Sequence, residues 1–419
     1  MKERQAWSCM NKAKPPVSEI SNESANESAN ESCNYRTRIV SDLSEIGQVQ
    51  WDALVQAQDD ANPFLSFAFL NALHESGSAS LTSGWQAQFL TIWRAEGDYA
   101  ESNLVAALPL YVKSHSYGEY VFDWAWADAY ERNGLKYYPK LLSAIPFTPV
   151  TGSRLMASDG ASMTALIAAL GTVQESNNFS STHILYPPTA QAEILREAGF
   201  MLRTGVQFHW LNDDYKDFDA FLQTLERKKR KNIRAERRKV HDAGVTFRHV
   251  SGHDATEKDW IFFKRCYDHT YANHHSTPYL NLDFFQRIGA TMPRNILMIV
   301  AEQDGQAIAS SLLIHDEQTV FGRYWGALKH IDCLHFETAY YQPLEFCITN
   351  QMACFEGGAQ GEHKMARGFL PQKTWSAHWL AHAAFSDAIE EFLMRETGGI
   401  DSYIDELNER NPFKLQTEL

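Results

Sequence analysis

One order of elements occurs twice along this chain, and that repetition limits what it can fold into. In the first half RTRIV, after Tyr35, alternates as a strand. SDLSEIGQVQWDALVQ reads as a helix capped by Ser41 or Asp42, and FLSFAFLNALHES as another with Ser66 as its cap. WQAQFLTIWRAEG and SNLVAALPLYVKSHS are apolar β-runs. GASMTALIAALGTVQES is helical, THILYP a short strand, and QAEILREAGF a helix stopped by Gly199. The second half opens on the strand VQFHWLN. One long helix, DFDAFLQTLERKKRKNIRAERRKVHDAG, follows, then the strand TFRHV and the helix TEKDWIFFKRCYDHTYANHH. Residues 295–328 supply three strands, the first two turning at Asp304-Gly305. A helix over HFETAYYQPLEFCITNQM, the strand CFEGGAQG and a late helix ending at Gly398-Gly399 complete the order. Helix, hairpin-linked strands, helix, strand, met in both halves, predicts two copies of one mixed α/β unit.

The remaining composition fits that architecture. A chain of 419 residues is too long for one ordinary core. Residues 1–34 contain the polar tandem NESANESANES and read as a disordered tail. The expected boundaries are 35–205 for the first unit, 206–398 for the second, and 399–419 for a C-terminal extension. Net charge is −14, which disfavours bulk nucleic-acid binding, so any polyanion must meet a local basic patch. The six cysteines show no CxxC spacing and read as reduced thiols. His269, His274 and His275 lack a carboxylate or cysteine at ligand spacing, so no metal is expected. No apolar run suggests a secretion signal or a membrane span, and a cytoplasmic protein is expected.

Four segments carry candidate chemistry. Glu226 to Lys239 holds nine Lys or Arg and two Glu, a local net of +7. Arg227, Lys228, Arg230, Lys231, Arg234, Arg237 and Arg238 would form a cationic helix side, opposite an apolar face with Ile233 and Val240. That side suits phosphates of tRNA, coenzyme A or anionic lipid headgroups, or is a solvated face balanced by neighbouring acids. Residues 334–346 gather His335, Glu337, Tyr340, Tyr341 and Glu345. Glu337 or His335 could deprotonate an amine and a tyrosine could serve the leaving group, or the tyrosines pack in the core. The glycines at 357, 358 and 361, followed by Lys364, Arg367 and Lys373, suit close backbone approach to an anion. Residues 122–140, with Trp124, Trp126, Tyr137, Tyr138 and Asp123, suit a cleft wall or an ordinary core edge.

Residues 62–78, 108–142, 146–155, 227–240, 322–346 and 356–379 together resemble the FemAB-like proteins of the GNAT superfamily, also called predicted N-acyltransferases. The resemblance implies two tandem GNAT-like domains with a cleft between them, and transfer of an acyl or aminoacyl group to an amine. Better-understood Fem relatives use aminoacyl-tRNA as donor and a peptidoglycan precursor as acceptor. Carried over by residue, it marks Asp123, Trp124, Tyr137, Tyr138, Lys140, Arg323, Trp325, Glu356, Gly357, Gly358, Lys364 and Gly368 for substrate, with His335, Glu337, Tyr340 and Tyr341 nearest the chemistry. Neither the Arg/Gln-x-x-Gly-x-Gly/Ala loop of acetyl-CoA enzymes nor a coiled-coil arm is visible, so the donor stays open between acyl-CoA and aminoacyl-tRNA. The alternative is a non-catalytic protein that binds an envelope precursor or tRNA in the same cleft.

Overall fold

The computed structural model of the protein describes residues 35–96, 101–176, 178–358 and 361–414; the expected tail over 1–34 lies outside them. The first half runs β1 (Tyr35–Val40), α1 (Gln48–Gln56), α2 (Phe67–Glu75), β2 (Trp85–Ala87), β3 (Phe89–Glu96), β4 (Glu101–Leu108) and β5 (Tyr111–Lys113). It continues through α3 (Trp124–Arg132), β6 (Lys140–Ser143), β7 (Met156–Ala157), α4 (Gly160–Ser176), β8 (Ser181–Leu185), α5 (Thr189–Glu197) and β9 (Met201–Leu211). The second half comprises α6 (Phe218–Thr224), α7 (Arg227–Asp242), β10 (Val245–Ser251), α8 (Glu257–Asn273), α9 (Leu282–Thr291), β11 (Ile296–Gln303), β12 (Gln306–His315) and β13 (Thr319–Ala327). α10 (Leu334–Phe336), a π turn (Glu337–Tyr341) and α11 (Gln342–Thr349) form one helical segment, followed by β14 (Cys354–Glu356), β15 (Leu370–Leu380) and α12 (Ala383–Glu409).

Local signals place many of these elements. Ser66 accepts from the Phe69 amide and starts α2. Thr256 and Asp259 close a capping box on α8. Asp304 and Gly305 both have positive φ, which turns β11 into β12 with the twist a hairpin needs.

Two tandem mixed α/β units are present, but they exchange their last strands. Eleven strands form one sheet, in the order β10-β11-β12-β13-β14-β9-β15-β8-β6-β5-β2, and β1-β3-β4-β7 form a second. β9, at the end of the first unit, pairs with β14 of the second. β15, at the end of the second, pairs with β8 of the first. β9 and β15 pair antiparallel along Met201–His209 and Leu370–His378, at the middle of the sheet. The arrangement is close to twofold about that pair. His209 faces Leu370 while Met201 faces His378, and each half contributes a parallel pair, β13 with β14 and β6 with β8.

Four expectations need correction. The long helix after Asp217 is broken: Leu225 is extended, bridges to Phe413, and separates α6 from α7. α12 runs through Gly398-Gly399 to Glu409, so the 398/399 boundary falls inside a helix. The 205/206 boundary likewise falls inside β9. The halves also do not face each other across an open cleft. One core joins Trp51, Phe64 and Phe69 of the first half to Phe263, Phe285 and Phe321 of the second. The Phe64 and Phe321 rings meet edge-to-face at 5.1 Å. Burying an aromatic of this size contributes about 1.5–3 kcal/mol, so such contacts bind the units firmly.

Candidate active site

At the join the sheet leaves room. β13 and β14 run parallel for three residue pairs only, ending at Phe321 and Glu356. Beyond that, residues 322–327 have no strand partner on this edge among the described residues. Gly322 and Gly358 keep the parting strands close: a Cβ on Gly322 would press on Phe355 at 3.1 Å, and Gly358 has φ +84°. On its other edge β13 carries a bulge against β12, because Gly322 faces Leu313 and Tyr324 faces Leu312. Arg323 is the extra residue, and bulges re-aim side chains in this way.

A cavity of about 330 Å³ opens beside this divergence. Tyr120 and Pro149 wall it from the first half, and Tyr267, Tyr271, Arg323, Tyr324, Trp325 and Gly358 from the second. Lys364, itself buried, donates to the Gly358 carbonyl at 2.8 Å and pins the glycine turn. Burial lowers its ammonium to about 8.

Glu356 stands at the last rung of the parallel pair. Its Cα partner on β9 is His209, whose Nε2 lies 4.0 Å from Glu356 Oε2. That oxygen is buried and has no hydrogen-bond partner. Burial raises the carboxyl to about 8, aided by Asp316 and opposed by Arg323. Burial and Lys364 lower His209 to about 4, so it is neutral near pH 7. His209 Nε2 also meets Gln207 Oε1 at 3.3 Å, and Gln207 donates to the Pro149 carbonyl at the cavity wall. A carboxyl raised to about 8, with one oxygen unpaired and two residues from the cavity wall at Gly358, is equipped for proton transfer.

The 334–346 segment is organised differently. Glu337, 3% exposed, receives Arg237 Nη2 at 3.0 Å and Nε at 3.1 Å, and Gln342 Nε2 at 2.8 Å. Arg237 Nη1 also reaches Glu345 at 2.7 Å. Tyr341 donates to Glu236, which also receives Arg367. These bonds fasten α7 to the π turn. Glu337 lines a separate cavity with Arg238, Phe247 and Gln342, whereas His335 and Lys364 do not line it. Glu337, His335 and Lys364 therefore do not share that cavity. His335 packs on Trp325 with centroids 4.7 Å apart, behind the cavity wall, and burial lowers it to about 4. Tyr340 meets His363 at 3.2 Å, and Gly368 has φ +89° beside Phe221; neither reaches the cavity.

The first-half residues form a sealed network. Lys140 donates to Ser116 and Glu119 at 2.8 Å and to Asp123. Tyr137 donates to Asp123 at 2.7 Å and meets His183, and His183 meets His378 Nδ1 at 2.7 Å. Lys113, the cross-strand partner of Lys140, is also fully buried. Burial brings Lys113 down to about 7 and Glu119 up to about 7. Burial pushes Asp123 up, but Lys140 and His183 outweigh it and hold the carboxyl below its ordinary range. Trp124 points outward at 41% exposure and stacks edge-on with Tyr117; Tyr138 bonds Ser116. None of these residues lines the cavity at the join.

On α7 the cations divide. Arg230 donates to the Leu222 and Leu225 carbonyls, Arg234 pairs with Asp219 at 2.8 Å, and Arg237 pairs inward. Arg227, Lys228, Lys231 and Arg238 are exposed and make no ion pair among the described residues. Ile233 and Val240 are buried, as the period required. Sequence reasoning missed Tyr120, Gln207, His209, Tyr267 and Tyr271. Only the placement of β9 and α8 brings Gln207, His209, Tyr267 and Tyr271 to Glu356 and Arg323, and Tyr120 comes from the loop before α3. Among the described residues no cluster of His, Cys, Asp and Glu is arranged to hold a metal ion. No described helix is long and apolar enough to cross a membrane.

Comparison with known proteins agrees with this architecture. FemX covers 82% of this chain and 98% of its own length at 11% identity, with a TM-score of 0.52, a likeness that establishes the fold. Lower TM-scores relate it to L-PGS from Bacillus licheniformis (0.47, 10% identity, 83% and 96% covered) and to a tandem GNAT protein from the clavulanic acid biosynthesis pathway (0.45, 10%, 83% and 99%). No curated protein matches the sequence at a significant level. The profile described as FemAB-like, peptidoglycan biosynthesis/recognition, matches residues 42–415. The chain belongs to the FemAB-like family.

Proposed function

We propose that the protein transfers an acyl or aminoacyl group to the amine of an envelope precursor, and that the reaction occurs where β13 and β14 part. The observation that carries this reading is the buried, unpaired Oε2 of Glu356, two residues from Gly358 in the wall of a cavity shared by both halves. The acceptor nitrogen attacks the carbonyl carbon of a thioester or ester donor. The N–C bond forms, and the C–S or C–O bond breaks. Glu356, as carboxylate, takes the proton from nitrogen and returns it to the leaving sulfur or oxygen, so charge balances over the cycle. His209 and Gln207 orient it, and Lys364 fixes the glycine turn against which the substrate lies. Glu337 becomes a positioning residue that holds α7.

The unpaired cations Arg227, Lys228, Lys231 and Arg238 are proposed to receive the phosphates of the donor, whether acyl-CoA or aminoacyl-tRNA. This reading places the work on the cytoplasmic side, where both donors occur.

The test is incubation of the full chain with acyl-CoA or aminoacyl-tRNA pools and a set of peptidoglycan precursors, followed by mass spectrometry. A precursor that gains the mass of an acyl or aminoacyl group supports the reading. Salt-dependent binding with no transfer from either pool would replace it with a recognition role.

A further inference from the structure

The bulge residue Arg323 has charge to spare. Its Nη2 donates to the Phe147 carbonyl at 2.8 Å and lies 3.5 Å from the Tyr324 hydroxyl. Its Nε is buried without a partner, and it makes no ion pair among the described residues. The guanidinium sits between aromatic faces, 5.1 Å from the Tyr324 centroid and 5.4 Å from that of Phe64. Walls of this kind strengthen any charge-assisted bond made inside them, because they exclude water. The neighbouring Lys364 spends a donor on Gly358. Lys364 does not line the cavity, so Arg323 is the one Lys or Arg among the described residues in its wall, and a guanidinium so placed matches a planar carboxylate. A phosphate dianion would bring a second negative charge toward Glu356 with no second Lys or Arg in the cavity lining to balance it. At about 330 Å³ the cavity is at the small end for ligand sites, and it takes one or two amino-acid residues.

We infer that Arg323 and the tyrosines around it form a subsite for the free carboxylate of an amino-acid or short-peptide segment of the acceptor, which turns that segment's amine toward Glu356. The inference rests on the transfer reading for the identity of the acceptor, but its test reads binding alone.

Calorimetry on the full chain would compare L-alanyl-L-alanine, L-lysyl-L-alanine and L-alanyl-D-alanine, each with its C-terminal amide, and inorganic phosphate. A charge-assisted pair is worth about 1.5–3 kcal/mol, so at least one acid should bind about 10- to 100-fold more tightly than its amide. Arg323→Ala should abolish that preference, and Arg323→Lys should restore only part of it. The wild-type comparison stands without either variant, should they fold poorly. Acids and amides that bind alike, no binding by any acid, or phosphate that binds more tightly than every acid would each overturn the subsite. A protein that prefers acids yet never acylates would retain the subsite and lose the transfer reading.

Discussion

Two cross-strand pairs occupy equivalent places in this molecule and have opposite fates. On one side of the central strands Glu356 of β14 faces His209 of β9; on the other His183 of β8 faces His378 of β15. The near-twofold register of β9 and β15 relates one pair to the other. His183 and His378 are bonded to each other and sealed under Trp126, whose ring lies 4.9 Å from His378. Ile389 and Leu393 of α12 and Tyr137 complete the cover. Glu356 and His209 stay 13–14% exposed and 4.0 Å apart, next to a glycine turn whose Gly358 lines a cavity. Duplication lets one half carry its charges as buried framework while the other keeps its equivalent position unfinished. The proposed reaction uses the unfinished pair as the place where a substrate supplies the missing partner.

The sealed network should respond most strongly to mutation. Lys140→Met strands Glu119 and Asp123 in the interior, and breaking a buried pair costs about 3–5 kcal/mol. Urea unfolding should show that loss, against about 1 kcal/mol for Lys364→Met, which removes one bond to a carbonyl. Equal losses would break the contrast.

Glu356→Gln should act in the opposite direction. The folded state raises this carboxyl to about 8, above the ordinary carboxylate value, so the native form holds a proton that the unfolded chain releases. Wild type therefore loses stability as pH climbs from about 4.5 through about 8. The glutamine variant, free of that penalty, should be more stable by about 1–3 kcal/mol at pH 9 and nearly equal at pH 4.

Glu337→Gln should cost about 1–2 kcal/mol, since Arg237 keeps Glu345, and should lower turnover less than tenfold. Smallest in stability is the triple change of Lys228, Lys231 and Arg238 to Ala. Each exposed site should shift unfolding by no more than about 0.5 kcal/mol. The same variant should flatten the salt dependence of donor binding by about three phosphate contacts.

Much of the fold was legible because its signals are local: the Ser66 cap, the Asp304-Gly305 hairpin and the period of Ile233 and Val240 on α7. β15 was not. Pro371 argues against a central strand, and the buried Ser376 and His378 look polar until His183 of β8, nearly two hundred positions away, meets His378, which in turn meets Ser376. The break at Leu225 escaped notice because its bridge partner is Phe413. Glu337 looked catalytic because sequence shows a carboxylate but not the Arg237 that occupies it. Glu356 was marked only through resemblance, since its isolation appears once β9 lies beside β14.

The account depends most on Glu356 as the proton-handling group, and the pH profile of kcat/KM for amine acylation tests it most directly. Wild type should show a limb that rises with pH and levels near 8, as the carboxyl becomes able to accept a proton. Glu356→Gln should lose that limb and about 10²- to 10⁴-fold in rate while folding normally. A variant that keeps both the limb and the rate would contradict the account.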